Sequence, residues 1–329
     1  LADPACRLLT IVGPGGIGKT RLALQAATTA LAHFPHGVCF VELAAVATAD
    51  QLPGAILAAL EAPQDGMVGA LRQLLDYLQQ RCLLLVLDHF EHLVEGATLL
   101  IELLHAAPRL KLLVTSRARL NLREEWLVPL EGLALPPTVD DDTPPEQTAA
   151  RLVTDLERYD APRLFLHCIR RLQPAFQPTS TEATAILQIC RLLEGLPLGI
   201  ELAAAWVRTL PLPAIAREIA HSLSFLMTSL RDIPARHRSM SAVFDHSWRL
   251  LTPRAHSILR QFAVFRGGCT RAAAAAVTGA TLTDLAELVD KSWLRLRPDA
   301  RYDMHELVRQ YCEEKLESEH FAIDRETSD

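Results

Sequence analysis

GPGGIGKT, residues 13–20, decides how this chain is read. Four glycines, a lysine and a threonine follow the apolar run Leu8-Leu9-Thr10-Ile11-Val12, so a buried strand runs into a glycine loop. The loop satisfies two patterns. Gly13, Gly15 and Gly18 spell G-x-G-x-x-G, a dinucleotide fingerprint, whereas Gly13, Gly18, Lys19 and Thr20 spell G-x-x-x-x-G-K-T, a P-loop. Lys19 and Thr20 break the tie. A dinucleotide site has no use for a lysine after its third glycine, but a polyphosphate cradle needs both residues. Its backbone N–H groups point at phosphate oxygens, the following helix adds its positive end, Lys19 reaches the β/γ-phosphates and Thr20 ligates Mg2+. Glu42, closing the second apolar run, stands where a dinucleotide fold puts its ribose-binding acid, and is the one feature that favours the other reading.

The remainder of the chain supports the P-loop. Residues 83–88 read LLLVLD, an apolar strand ending in Asp88, the arrangement in which a carboxylate holds the Mg2+ shell. Residues 112–117 read LLVTSR, a strand that delivers Arg117 to the same carboxyl edge, where open α/β sheets bind ligands and where a guanidinium can register a γ-phosphate. Apolar runs at 7–12, 38–43, 82–87, 110–115 and 126–130 alternate with helical spacing at 19–33, 50–62, 67–80 and 95–106. This predicts a parallel sheet with helices on both faces.

Composition sets the outer limits. The chain has 329 residues, half of them hydrophobic, which is enough for two or three cores. A net charge of −6 advertises neither nucleic acid nor membrane, although basic residues gather at 231–238. The seven cysteines show no C-x-x-C pair and most lie in apolar runs, as reduced thiols packed as small hydrophobes do, so a cytoplasmic location is expected. There is no signal peptide and no membrane-spanning run, and with no initiating Met the chain reads as a fragment.

Beyond residue 135 the pattern changes. A Pro-rich, acidic stretch at 136–145 reads as a linker. Helical periods follow at 147–159, 162–171, 180–194, 197–208 and 212–227. After a second break near 231–234 they resume at 236–251, 253–264, 271–278 and 281–291. A small hairpin at 293–303 and a long helix from about 304 complete the chain. The expected organisation is an α/β P-loop NTPase domain (1–135), an all-helical domain (136–230), a winged-helix domain (231–322) and a tail (323–329).

In that order, GPGGIGKT (13–20), LLLVLDHFEHL (83–93), LLVTSR (112–117), GLPLGIELAA (195–204) and MHELVRQY (304–311) resemble the NB-ARC-type members of the STAND class of signalling ATPases. FRGGCT (265–270) and LVDKSWL (288–294) resemble its bacterial branch. The resemblance spans essentially the whole chain and implies an ATP/ADP-dependent molecular switch with Mg2+ as cofactor. Gly13, Gly15, Gly16, Ile17, Gly18, Lys19, Thr20 and Arg21 would cradle the nucleotide. Thr20 and Asp88 would hold the metal, and Arg117 would be the sensor. Pro197 would pack on adenine, and His305 would reach the β-phosphate of ADP and lock a closed state. Self-oligomerisation on activation is implied, with sensor and effector regions outside this stretch.

The departures are specific. Many relatives have a second acid directly after the Asp. Here His89 follows, and Glu91 lies three residues on, so either is left to orient the attacking water and slow hydrolysis is expected. Glu306 stands where relatives often carry Asp, and the upstream Gly-Arg that contacts adenine in relatives is absent. Asp88, His89, Glu91 and His92 are rich in ligand types, but Phe90 and Leu93 interleave with them as in a turn off a strand, so zinc is not expected. His305-Glu306 begins H-E-x-x-H but position 309 is Arg, and no G-x-S-x-G elbow occurs. Mixed charge on the last helices (Glu287, Asp290, Lys291, Glu313, Glu314, Glu317) argues against direct DNA contact. The rival readings are an AAA-like remodeller with fast turnover and a DNA-binding regulator using the winged helix.

Overall fold

The computed structural model describes residues 1–63, 67–137, 145–228 and 237–326. Most of the 136–145 linker, most of the basic run at 231–238 and the end of the tail lie outside the described residues.

The chain forms two compact units. The first comprises Leu1–Pro14, Gly18–Leu130 and Asp290–Ser292. Its elements are β1 (Leu8–Val12), α1 (Lys19–Ala30), β2 (Val38–Glu42), α2 (Leu52–Ala59), α3 (Ala70–Leu78), β3 (Leu84–Asp88), α4 (Thr98–Ala106), β4 (Lys111–Ser116) and β5 (Glu125–Pro129). The five strands are all parallel, in the order β2-β3-β4-β1-β5.

Alternation along the strands builds two cores. Leu85, Leu87, Leu112 and Val114 point to one face, where they pack with Leu52, Ile56, Leu74, Leu100 and Leu103 of α2, α3 and α4. Leu84, Val86, Leu113 and Ile11 point to the other, against Ala23 and Ala27 of α1. The uniform apolarity of β3 is what a strand buried on both sides requires. The helix expected at 50–62 is confined to Leu52–Ala59, because Pro53 fits only the first turn and Glu61 turns into left-handed backbone at φ +49°.

Register aligns the carboxyl ends that matter. Val12 of β1 pairs with Ser116 of β4, and Leu87 of β3 with Val114 of β4. The strand leading into the glycine loop and the strand ending in Asp88 are therefore not neighbours. β4 lies between them, and its Thr115 hydroxyl donates to Asp88.

The second unit comprises Gly15–Ile17, Glu131–Val289 and Trp293–Asp329. Its elements are α5 (Pro145–Arg158), α6 (Asp160–Leu172), α7 (Ser180–Leu192), α8 (Pro197–Ala205), α9 (Leu212–His221), α10 (Met240–Trp248), α11 (Pro253–Phe262), α12 (Arg271–Thr278), α13 (Leu282–Asp290), the antiparallel pair β6 (Arg295–Leu296) and β7 (Tyr302–Asp303), and α14 (Glu306–Glu326). Threonine and serine start many of these helices. Thr179 forms a reciprocal capping box with Glu182, while Ser239, Thr252 and Thr270 each accept an N–H from the first turn. An aromatic cluster of Phe244, Trp248, Trp293 and Tyr311 fastens α10 to α14, and the Tyr311 hydroxyl donates to Asp245 at 2.6 Å. Among the described residues no single helix is long and apolar enough to cross a membrane.

Candidate functional site

In the first unit, β1 ends at Val12 and α1 begins at Lys19, with Gly18 in the left-handed region at φ +96°. A residue with a Cβ is strained there, so the loop can present its backbone N–H groups inward only with glycine at this turn. Lys19 is 9% exposed, and its Nζ donates to the carbonyls of Gly13 (2.8 Å) and Pro14 (3.0 Å). Arg21, two residues on, is exposed.

Asp88 is 1% exposed and carries a dense set of contacts. Thr20 Oγ1 donates to its Oδ1 at 2.8 Å, the Thr115 hydroxyl donates to the same oxygen, and His89 Nδ1 lies 2.7 Å from Oδ2. The His89 backbone N–H donates to Thr115 Oγ1 at 3.1 Å, so β4 is tied to the end of β3 at this point. Burial works to raise the Asp88 pKa, but the hydrogen bonds from His89, Thr115 and Thr20 outweigh it, and the carboxyl is held below its ordinary value. After Asp88 the chain reverses through His89 at φ +64° into the turn Phe90–His92. Phe90 is fully buried and anchors that turn. Glu91 is consequently carried inward, where Arg117 Nε meets its Oε1 at 3.0 Å. Both side chains are almost completely buried.

The donor set fits a Mg-bound polyphosphate. Lys19 is a buried ammonium whose hydrogen bonds go to neutral carbonyls, which leaves its charge available to an anion. Thr20 and Asp88 supply the hard oxygen ligands that Mg2+ takes. The cation would be held by Thr20 and Asp88 and would neutralise charge on the phosphates.

Desolvation dominates at Lys19 and lowers its pKa to about 8, against the pull of Glu91. A phosphate beside the ammonium favours its charged form, so binding must draw in a proton when the pH exceeds that value. Mg-ADP affinity is therefore expected to be level near pH 7.5 and to weaken above pH 8 by up to about tenfold per unit. Calorimetry in two buffers of different ionisation heat checks this. Equal heats at pH 9, with no loss of affinity, contradict it.

In the second unit, Gly16 has φ +79°, and a Cβ added there would lie 2.9 Å from Leu198 Cβ; the Leu198 N–H donates to Gly16 O at 3.2 Å. Ile17 is buried and Pro197 half-buried at the first turn of α8. Just before them, Glu194 and Gly195 both have positive φ, +46° and +70°. Glu194 accepts Arg295 Nη1 on Oε2 (2.6 Å) and the Glu306 N–H on Oε1 (2.9 Å), which fixes the start of α14. His305 precedes α14 with a side chain 17% exposed. Its Nδ1 accepts the Leu307 N–H at 3.1 Å, so the ring proton sits on Nε2, which is buried without a hydrogen bond of normal geometry. Burial lowers the His305 pKa despite the nearby Glu194 carboxylate, and the ring is neutral at pH 7.

The structure therefore gathers Lys19, Thr20, Asp88, His89 and Arg117 in the first unit. Gly16, Ile17, Pro197 and His305 belong to the second. Two residues here were not expected from sequence: Thr115, visible there only as part of a Thr-Ser-Arg turn, and Glu194, which carries no local signal. A cavity of about 780 Å3 in the first unit, lined by Leu9, Ala26, Phe34, Lys111 and Val128, includes none of the phosphate-cradle residues.

The glycine loop, its buried lysine and the Thr20–Asp88 pair at the carboxyl edge of a parallel sheet define a P-loop ATPase domain, and the AAA domain family matches residues 3–121. The chain as a whole belongs to the family of the mycobacterial protein named "Uncharacterized protein Rv0894" of Mycobacterium tuberculosis. The two are 33% identical over 325 residues, covering 94% of this chain and 76% of that one. The chain is also 34% identical over 324 residues to "Putative HTH-type transcriptional regulator Rv0890c" of the same species, covering 94% of this chain. It spans about a third of that relative, 34% of its length. Among solved structures, a Signal Transduction ATPase with Numerous Domains (STAND) protein with a tetratricopeptide repeat sensor, PH0952 from Pyrococcus horikoshii, aligns over 93% of this chain and 40% of its own, with a TM-score of 0.32 and 16% identity.

Proposed function

We propose that this chain is the ATP/ADP-dependent switch of a STAND-type regulatory protein, with slow Mg2+-dependent hydrolysis resetting it. The nucleotide part of the reading rests on Lys19, Thr20 and Asp88. The observation that carries the switch is His305, a buried neutral imidazole whose Nδ1 accepts the Leu307 N–H, so that Nε2 is the donor, met only by a Leu193 backbone contact of poor geometry. A buried donor held in so poor a bond gains from a better-placed acceptor. The β-phosphate of ADP is the acceptor proposed, with Pro197 packing on adenine. The α10–α14 part with its hairpin then acts as a winged-helix clamp that is tight with ADP and loose with ATP. A ligand shifts a two-state equilibrium only by its differential affinity for the two states, and one charged hydrogen bond of about 1.5–3 kcal/mol corresponds to roughly 10- to 150-fold. Opening would expose surfaces for self-association, with signal and effector read by parts of the protein beyond this stretch.

His305→Ala is expected to speed ADP release by about tenfold or more and to leave ATP affinity within about threefold. Stopped-flow displacement of a fluorescent ADP measures the first, and a competition titration the second. Equal effects on both nucleotides contradict the clamp.

The names of the relatives favour a second reading, in which the switch serves a transcriptional regulator and the hairpin region touches DNA. Duplex binding that weakens steeply with salt supports it.

A further inference from the structure

Three side chains compete for the task of activating water at the end of β3, and their surroundings separate them. Asp88 has Thr20 and Thr115 on one oxygen and His89 against the other. The His89 ring nitrogen Nδ1 lies 2.7 Å from Asp88 Oδ2, a contact that, like that of Glu91, lacks normal hydrogen-bond geometry but turns the ring toward the carboxylate that would hold the metal. Glu91 is different. Its carboxylate is 2% exposed, and neither oxygen has a hydrogen bond of normal geometry. Arg117 Nε approaches Oε1 at 3.0 Å. The Lys19 ammonium and the Glu91 carboxylate each affect the other's ionisation.

Elementary energetics makes this pair hard to explain as scaffolding. Burying two charges costs about as much as their attraction returns, and well-packed apolar residues would hold β4 against the Phe90–His92 turn equally well. What the ion pair does supply is orientation: a side chain carried on a turn is fixed by a guanidinium delivered from the neighbouring strand.

We propose that Glu91, oriented by Arg117, is the catalytic carboxylate that takes a proton from the attacking water. The proposal rests on the ATPase reading above. The water oxygen bonds to the γ-phosphorus while a water proton passes to a Glu91 oxygen. The bond from γ-phosphorus to the β–γ bridging oxygen breaks, and its electron pair stays on that oxygen, giving ADP and inorganic phosphate. Glu91 then releases the proton to solvent. The arrangement also accounts for slow turnover. Burial would raise the basicity of Glu91, but Arg117, then Lys19 and His89, outweigh it and hold the carboxyl below its ordinary pKa. A base so stabilised in its ionised form is a weak one.

The test uses the chain described here, with Mg-ATP binding and single-turnover hydrolysis measured separately. Glu91→Gln is expected to cut the hydrolysis step by about 100-fold or more, with Mg-ATP affinity within about threefold of the unmodified chain. Because that change leaves the Arg117 charge buried and unpaired, Glu91→Asp serves as the second variant. It keeps a negative charge near Arg117 but sets the carboxylate back by one methylene, and is expected to lose about 10- to 100-fold in the same step. Wild-type hydrolysis rates in either variant overturn the assignment, as does a loss of binding equal to the loss of hydrolysis. A loss confined to His89→Ala moves the role to His89. An unmodified chain that binds no Mg-ATP overturns the nucleotide reading itself, and this proposal with it.

Discussion

Lys19→Ala is expected to abolish measurable nucleotide binding while leaving the fold intact. The two halves of that expectation have the same physical origin. The ammonium is buried, its hydrogen bonds go to Gly13 O and Pro14 O, and desolvation lowers its pKa to about 8. In the folded chain that charge is a cost, so its removal relieves desolvation even as the two carbonyls lose a donor. Bound phosphate reverses the sign. Each charge-assisted hydrogen bond from the ammonium to a phosphate oxygen is worth about 1.5–3 kcal/mol, and two of them correspond to an affinity loss on the order of 10²–10⁴-fold. Thermal melts with and without Mg-ADP check both halves. The unmodified chain gains midpoint with ligand concentration, whereas the variant melts normally and gains nothing. An undiminished ligand-dependent gain in the variant contradicts the cradle.

The second large effect is on stability. Gly195 begins GLPL and has φ +70°, where a residue with a Cβ is strained by about 1–2 kcal/mol. A Cβ there would also lie 2.3 Å from Leu133 O and 2.8 Å from Leu133 N, backbone atoms that cannot swing aside. The Leu133 N–H donates to Gly195 O at 2.9 Å, so relief by separation breaks a hydrogen bond worth about 1 kcal/mol. Gly195→Ala is therefore expected to cost about 3–5 kcal/mol in the second unit. The damage should reach further than the turn, because the adjacent Glu194 holds Arg295 and the first N–H of α14 beside His305. Denaturant unfolding followed by tryptophan fluorescence reads mainly this unit, which contains Trp206, Trp248 and Trp293, while Trp126 reports on the first. A midpoint within about 1 kcal/mol of the unmodified chain contradicts the steric argument.

The order of elements and the phosphate cradle were legible because their chemistry is local. A glycine loop after an apolar run, followed by Lys-Thr, needs no distant partner to be recognised, and neither does a buried strand ending in Asp. Helix ends were less legible: the 50–62 segment is trimmed by Pro53 and by the left-handed Glu61. The parts that position the site were not legible, since they arise from strand order. Thr115 bonds Asp88 because β4 is inserted between β1 and β3, which no spacing reveals. Glu194 meets Arg295 across 101 residues. The inward turn of Glu91 follows from a positive φ at His89, a conformation that few residues with side chains adopt.

The most direct test of the central claim is a calorimetric titration of the unmodified chain with Mg-ADP, Mg-ATP and NAD. One mononucleotide should bind per chain with ADP held the tighter, and NAD should give no heat. Binding of the dinucleotide, or no binding of either magnesium nucleotide, contradicts the account.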